Sequence, residues 1–172
     1  HPTLLAEQMA ASNLVDYVVS GEGDVALVKL ARYLAGDREI APELKLTDSK
    51  IISATKVDCS LLPPPNYDLW PNLESFITGY LTDRVSDYHK VLRWLPYESS
   101  RGCPYQCTFC EVQSTENWKF RPKTSQQVVD ELVYMVNKYQ LSHVKIVDDN
   151  MPVRVDRAME IAEGIIHSGV KF

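Results

Sequence analysis

Apolar positions recur along this chain with two periods, near 2 and near 3.6, and their alternation predicts short strands followed by helices. Leu4 to Met9 read as a short helix, Asp16-Tyr17-Val18-Val19 as a buried strand, and Gly21-Glu22-Gly23 as the turn at its end. Asp24 is placed to cap the next helix, where Leu27, Val28, Ala31 and Leu34 recur at helical spacing until Gly36 stops it. Residues 1–36 therefore read as the last strand-helix part of an open α/β domain.

The pattern weakens over residues 37–94. Leu44 to Leu46 and Ile51-Ile52 predict a small hairpin around Asp48-Ser49. Pro63-Pro64-Pro65-Asn66 supplies no ladder amides and predicts a stiff, extended linker, which Tyr67, Leu69, Trp70, Leu73, Phe76 and Ile77 glue onto its neighbours. From Leu95 a second α/β pattern begins. The strand leads into a long loop that ends near Lys123; Thr124 and Gln127 form a capping box, and Val128, Leu132, Met135, Val136 and Tyr139 form a helical stripe. Val144 to Val147 predict the next strand, Asp148-Asp149-Asn150 its tip, and Ala158, Ile161, Ala162, Ile165 and Ile166 the next helix. Residues 95–172 thus read as two parallel β/α units, with chemistry expected at the C-terminal ends of the strands. Gly169 to Phe172 read as the start of one more strand, and with His1 in place of Met the chain is expected to be a piece of a larger protein.

Composition narrows the classes. At 172 residues and 45% hydrophobic content the chain can bury a sizeable core. With 18 Lys and Arg against 23 Asp and Glu, the net charge of −5 and the lack of a basic run argue against a nucleic-acid partner. The sequence contains no apolar stretch near the length of a membrane span and no charged-then-hydrophobic leader, so a cytoplasmic protein is expected.

The chemistry concentrates in one loop. Three of the four cysteines fall in Cys103-Pro104-Tyr105-Gln106-Cys107-Thr108-Phe109-Cys110, while Cys59 stands alone and reads as a small buried hydrophobe. Three thiolates on a tight loop hold one corner of an iron–sulfur cluster and leave one iron open to a small chelating ligand. A structural zinc site would need a fourth ligand, for which His89 and His143 are the nearby candidates, and thiols without a metal are the third reading. On the residues alone these alternatives stay open.

Cys103, Cys107 and Cys110, with Phe109 before the last cysteine and Tyr97-Glu98-Ser99-Ser100-Arg101-Gly102 leading in, resemble the signature loop of the radical S-adenosylmethionine superfamily. The resemblance implies a [4Fe-4S] cluster on these three cysteines. It also implies that the open iron binds S-adenosylmethionine, which is cleaved to a 5'-deoxyadenosyl radical with an electron from an external donor such as flavodoxin or ferredoxin. Phe109 would line the adenine side of the pocket or, on the plainer reading, pin the loop as a core aromatic. Asp148 and Asp149 would accept hydrogen bonds from the cofactor's ammonium or simply cap the loop and the next helix; the glycine-glycine-glutamate tip of many members is missing here. Phe120-Arg121-Pro122-Lys123 resembles the segment before the first barrel helix, with Arg121 either neutralising cofactor charge or lying at the surface.

His1-Pro2-Thr3-Leu4-Leu5, Val15 to Val19, Gly21-Glu22-Gly23-Asp24 and Leu62 to Leu69 are similar to the subgroup with an N-terminal cobalamin-binding domain. The implied architecture is the end of a Rossmann-like cobalamin-binding domain at 1–36, a linker at 37–94, and the first β/α units of a partial TIM-type barrel at 95–172. Cobalamin is then a further cofactor, with Gly21 and Gly23 at its rim or serving only the turn; His1 is not the axial ligand. The leading expectation is a cobalamin-dependent methyltransferase or related enzyme whose substrate is unknown. A cobalamin-free radical enzyme is the main rival, and a zinc-stabilised binding module is the non-enzymatic one. Two β/α units are few for such a barrel, so the piece alone is expected to be inactive.

Overall fold

A computed structural model describes residues 3–12, 14–44, 50–79, 92–112 and 119–172. The chain divides into two units, His1–Asp58 with Thr108–Asn117, and Cys59–Cys107 with Trp118–Phe172.

In the first unit, α1 (Ala6–Ala11) starts two residues later than its pattern suggested, and β1 (Val18–Ser20) leads through Gly21 into α2 (Gly23–Leu34). Gly21 has φ +106°, and a Cβ there would stand 3.0 Å from the Ala54 carbonyl oxygen, so the turn admits only glycine without strain. Glu22 occupies the N-cap position of α2 and Asp24 lies within its first turn, so the expected cap is displaced by two residues. The Glu22 carboxylate instead accepts a hydrogen bond from the Val57 amide at 2.8 Å. Gly36 terminates the helix as its pattern implied, its amide returning to the Tyr33 carbonyl at 3.1 Å.

Among the described residues the expected hairpin is not seen. Leu44 ends the helix α3 (Ala41–Leu44), and β2 (Ile51–Ser53) pairs in parallel with β1, Val18 opposite Ile51. Residues 45–49 of the expected turn lie outside the described residues. The parallel pairing puts Ile52 in a core with Ala26, Ile40 and Leu44, which Tyr17, Val19, Leu30, Tyr33 and Ala54 flank. The buried side of α2 is thus the row Ala26, Leu30, Tyr33, whereas Leu27, Val28, Ala31 and Leu34, the apolar positions whose spacing marked the helix, are exposed.

The second unit begins with a 3-10 turn at Cys59–Leu61, where Cys59 is buried as a small apolar residue. After the proline run come a 3-10 turn at Tyr67–Leu69, α4 (Leu73–Ile77), β3 (Thr78–Gly79) and β4 (Leu92–Tyr97). They are followed by β5 (Ser100–Arg101), β6 (Arg121–Pro122), α5 (Ser125–Tyr139), β7 (His143–Ile146) and α6 (Val155–Ser168). The sheet runs β3-β4-β7, with β3 antiparallel to β4 and β4 parallel to β7. A strand, a crossover helix and a parallel strand is the arrangement that the two periods foretold.

α5 exists for identifiable reasons. Thr124 Oγ1 accepts from the Gln127 amide at 3.1 Å, but the reciprocal half of the box is absent: Gln127 Nε2 donates to Glu131 Oε1 at 3.0 Å and to the Leu62 carbonyl. Val128, Leu132, Met135, Val136 and Tyr139 are all buried, with Leu95, Tyr97, Ile77 and Ile161 in the same core. Each large aliphatic among them contributes roughly 1.5–3 kcal/mol on leaving water. α6 packs closely on α5 at Gly164, where a Cβ would meet Val129 Cγ2 at 2.6 Å.

Of the expected linker contacts, Tyr67 and Ile77 reach the core, while Leu69, Trp70 and Phe76 stay exposed. Tyr67 donates its hydroxyl to the Pro96 carbonyl at 2.6 Å and meets Trp70 and Tyr139 edge-on. Ile166 is likewise exposed on α6, and Gly169 to Phe172 form no strand, the backbone leaving the helix through a left-handed Gly169. Among the described residues no helix is long and apolar enough to cross a membrane.

Candidate functional site at the ends of the parallel strands

β4 and β7 end side by side, Tyr97 opposite Ile146, and the Val147 amide extends the ladder to the Tyr97 carbonyl at 3.0 Å. Beyond this point the two chains leave the sheet as the segment Glu98 to Cys103 and the tip Asp148 to Asn150, and the tip holds the segment in register. Asp148 accepts from the Ser99 amide at 2.6 Å, from Ser99 Oγ at 2.6 Å and from Ser100 Oγ at 2.5 Å. Asp149 Oδ2 accepts from the Gly102 amide at 2.8 Å, and Asn150 Nδ2 donates to Cys103 Sγ at 3.8 Å.

A second tie closes the loop's base. β5 and β6 pair antiparallel, Ser100 opposite Pro122 and Arg101 opposite Arg121, and the Lys123 amide donates to the Ser99 carbonyl at 3.0 Å. From α6 the buried Arg157 donates through Nη2 to the Ser99 carbonyl at 2.9 Å and to Ser99 Oγ at 3.1 Å, and through Nε to the Lys123 carbonyl at 3.1 Å. Burial lowers the Arg157 pKa, and the nearby Asp148 carboxylate opposes that shift. Beneath lies a buried network: Lys123 Nζ and Tyr97 Oη both donate to Glu131 Oε2, at 2.5 and 2.6 Å. Burial, then the hydrogen bond to Glu131, raises the Tyr97 pKa well above the usual phenol range.

The sequence-derived site residues fall as follows. Cys103 is half-buried and Cys107 exposed in the second unit; Cys110, half-buried, and Phe109 belong to Thr108–Asn117 of the first. Phe109 is 90% exposed, which removes the reading of a core aromatic pinning the loop. Arg121 is half-buried in β6 rather than at the open surface. Gly21 and Gly23 serve the turn into α2. His143 is exposed at the start of β7, and His89 lies outside the described residues. Sequence reasoning missed Ser99, Ser100 and Arg157, whose roles depend on contacts 48 to 58 residues away.

Among the described residues no three His, Cys, Asp or Glu side chains converge as a metal-holding group. By donor chemistry the loop nevertheless fits an iron–sulfur cluster: three thiols outside any disulfide, soft ligands that select such clusters or zinc, lie within eight residues, and the first already takes an amide N–H. Gathering of thiolates on metal uptake is the ordinary behaviour of such sites.

No protein-family model matches the chain. It is similar to an uncharacterized methyltransferase of Pyrococcus horikoshii, 26% identical over 163 residues that cover 91% of this chain and 33% of that protein. It is similar to the anaerobic magnesium-protoporphyrin IX monomethyl ester cyclase of Cereibacter sphaeroides, 24% identical over 99% of this chain and 28% of the relative. Hopanoid C-3 methylase of Methylococcus capsulatus is 25% identical over 92% of this chain and 28% of its own length. The chain therefore spans a third or less of these relatives. Among solved structures, the cobalamin-dependent S-adenosylmethionine radical enzyme OxsB matches with aqua-cobalamin bound, at a TM-score of 0.64 and 20% identity over 96% of this chain and 23% of OxsB. The form with S-adenosylmethionine also bound matches at the same TM-score and 21% identity. The chain thus has a mixed α/β fold that is structurally homologous, along most of its length, to part of a cobalamin-dependent S-adenosylmethionine radical enzyme.

Proposed function

We propose that this chain carries the cluster and S-adenosylmethionine site of a radical S-adenosylmethionine enzyme that also uses cobalamin, with methylation of an unreactive carbon as its reaction class. One observation carries the reading: a C-x3-C-x2-C loop leaves the C-terminal end of a parallel strand, tied at its base to the next strand's tip, in a chain of this fold. Likeness to an uncharacterized methyltransferase and to hopanoid C-3 methylase supports the reaction class.

When bound, a [4Fe-4S] cluster supplies the electron that cleaves the sulfonium of S-adenosylmethionine and releases the 5'-deoxyadenosyl radical. Cys103, Cys107 and Cys110 are its sulfur ligands, and an electron carrier of the flavodoxin or ferredoxin kind supplies the reducing equivalent. Exposed Phe109 presents its ring to the adenine. Asp148 is committed to two serines, so the ammonium of S-adenosylmethionine falls to Asp149, whose Oδ2 takes the Gly102 amide. Arg121 balances anionic charge at the loop's base, and Gly21 and Gly23 let the backbone approach the corrinoid rim. In domain terms, 1–36 ends the cobalamin-binding part and 95–172 opens the barrel.

The test is anaerobic reconstitution of the intact protein with iron, labile sulfide, zinc and corrinoid quantified. Iron and sulfide in equal amounts with retained corrinoid are expected, and replacing any of Cys103, Cys107 or Cys110 by Ala should weaken iron affinity by more than the roughly 10–100-fold that loss of an outer-shell partner costs. Zinc bound stoichiometrically without labile sulfide points instead to a structural zinc module.

A further inference from the structure

Asn150 stands at the N-cap position of a 3-10 turn, Met151–Val153, where an asparagine side chain ordinarily accepts a hydrogen bond from the turn's own amides. It makes no such bond. Its amide group is turned to the first cysteine of the loop, Nδ2 standing 3.8 Å from Cys103 Sγ, within the reach of an N–H···S hydrogen bond. The neighbours explain how the alignment is held. Asp148 binds Ser99 and Ser100, Asp149 binds the amide of Gly102, and Asn150 binds Cys103, so three successive tip residues take successive points along the segment that enters the loop. Gly102 is buried with φ +81°, so the bend just before Cys103 is set by the backbone as well.

A thiolate offers lone pairs and no proton, so only the NH2 side of the Asn150 amide is attractive to it; the carbonyl side would repel it. We infer that Asn150 is a positioning and tuning residue, which orients Cys103 and donates an N–H···S hydrogen bond that raises the reduction potential of a cluster held there. The inference rests on the cluster reading above. Reduction adds negative charge to the sulfurs, so a donor to one of them stabilises the reduced state more than the oxidised one, and hydrogen bonds to the sulfurs are among the determinants of cluster potential. The donor is placed at the thiol by the tip's own contacts with the segment that enters the loop.

The experiment is a redox titration, followed by electron paramagnetic resonance, of the anaerobically reconstituted intact protein and of Asn150→Leu, Asn150→Asp and Asn150→Gln, with iron and sulfide measured for each. Asn150→Leu should lower the ratio of reduced to oxidised cluster at a fixed potential by about tenfold, equivalent to about 59 mV for a one-electron couple. Asn150→Asp should lower it further, because a carboxylate then faces the thiolate, and Asn150→Gln should recover part of the loss by keeping the NH2 donor. Loaded Leu and Asp variants that titrate with the parent protein overturn the inference and leave the cluster reading standing. Failure of both the Leu and Gln variants to take up iron also overturns it, since the amide donor is then not what the position supplies; failure of the Leu variant alone supports it. A parent protein that takes up no iron overturns the inference and the cluster reading together.

Discussion

Helices α2 and α5 carry similar apolar periodicity and have unlike fates. In α5 the stripe read from the sequence is the stripe that is buried, because the parallel strands beside it present Leu95 and Tyr97 to the same core. In α2 only Ala26 is fully buried, while Leu27, Val28 and Leu34 are more than half exposed. Periodicity specifies a helix; what lies against it decides which of its faces is core. Among the described residues the first unit has a two-stranded parallel sheet to offer and the second a three-stranded one with the long helices α5 and α6, so side chains of equal hydrophobicity should have unequal energetic weight in the two.

That contrast can be broken at several points. The largest effect should come from Glu131→Ala, which leaves Lys123 charged and buried without its partner; breaking such a pair costs about 3–5 kcal/mol. All three tryptophans fall within Cys59–Cys107 and Trp118–Phe172, so urea denaturation followed by tryptophan fluorescence reads this unit. A cost below about 1 kcal/mol, the worth of an exposed pair, would show that Lys123 finds water instead. Leu132→Ala comes next, at about 2–5 kcal/mol by the same readout, since the side chain is 2% exposed and packed on every side.

Gly21→Ala should cost about 1–2 kcal/mol through its left-handed backbone, with the approach to Ala54 adding to it. Hydrogen exchange of the β1 and β2 amides is the measurement, and unchanged protection would mean that the turn relaxes freely. Val28→Ala should lie within about 0.5 kcal/mol, because the side chain is already in water. Destabilisation of the α2 amides beyond about 1 kcal/mol in the intact protein would mean that this face is covered there and that the weight of the two helices is equal after all.

Local signals were legible in the sequence and distant partners were not. Thr124 as a cap, the α5 stripe and the burial of Cys59 follow from residues within a few positions of one another, and the parallel order of the second α/β pattern follows from the strand-helix-strand succession. The hairpin at Ile51 was misread because its true partner, Val18, lies far back along the chain, and nothing in Ile51-Ile52 distinguishes a hairpin strand from a parallel one. Gly169 to Phe172 resemble a strand in composition, yet among the described residues they gain no ladder. At the site, cysteine spacing marked the loop and acidic clustering marked the tip, but Asp148 holding Ser99 and Ser100 is a consequence of β4–β7 register. Arg157 looked like any helix-surface arginine until burial and the Ser99 carbonyl gave it a place.

The decisive experiment is electron paramagnetic resonance of the anaerobically reduced, reconstituted intact protein before and after S-adenosylmethionine is added. A reduced iron–sulfur signal that changes on addition, and loses this response when Cys107 is replaced by Ala, is the expected result. No iron–sulfur signal, or one indifferent to S-adenosylmethionine, would contradict the assignment of Cys103, Cys107 and Cys110 to a cluster with an open coordination site.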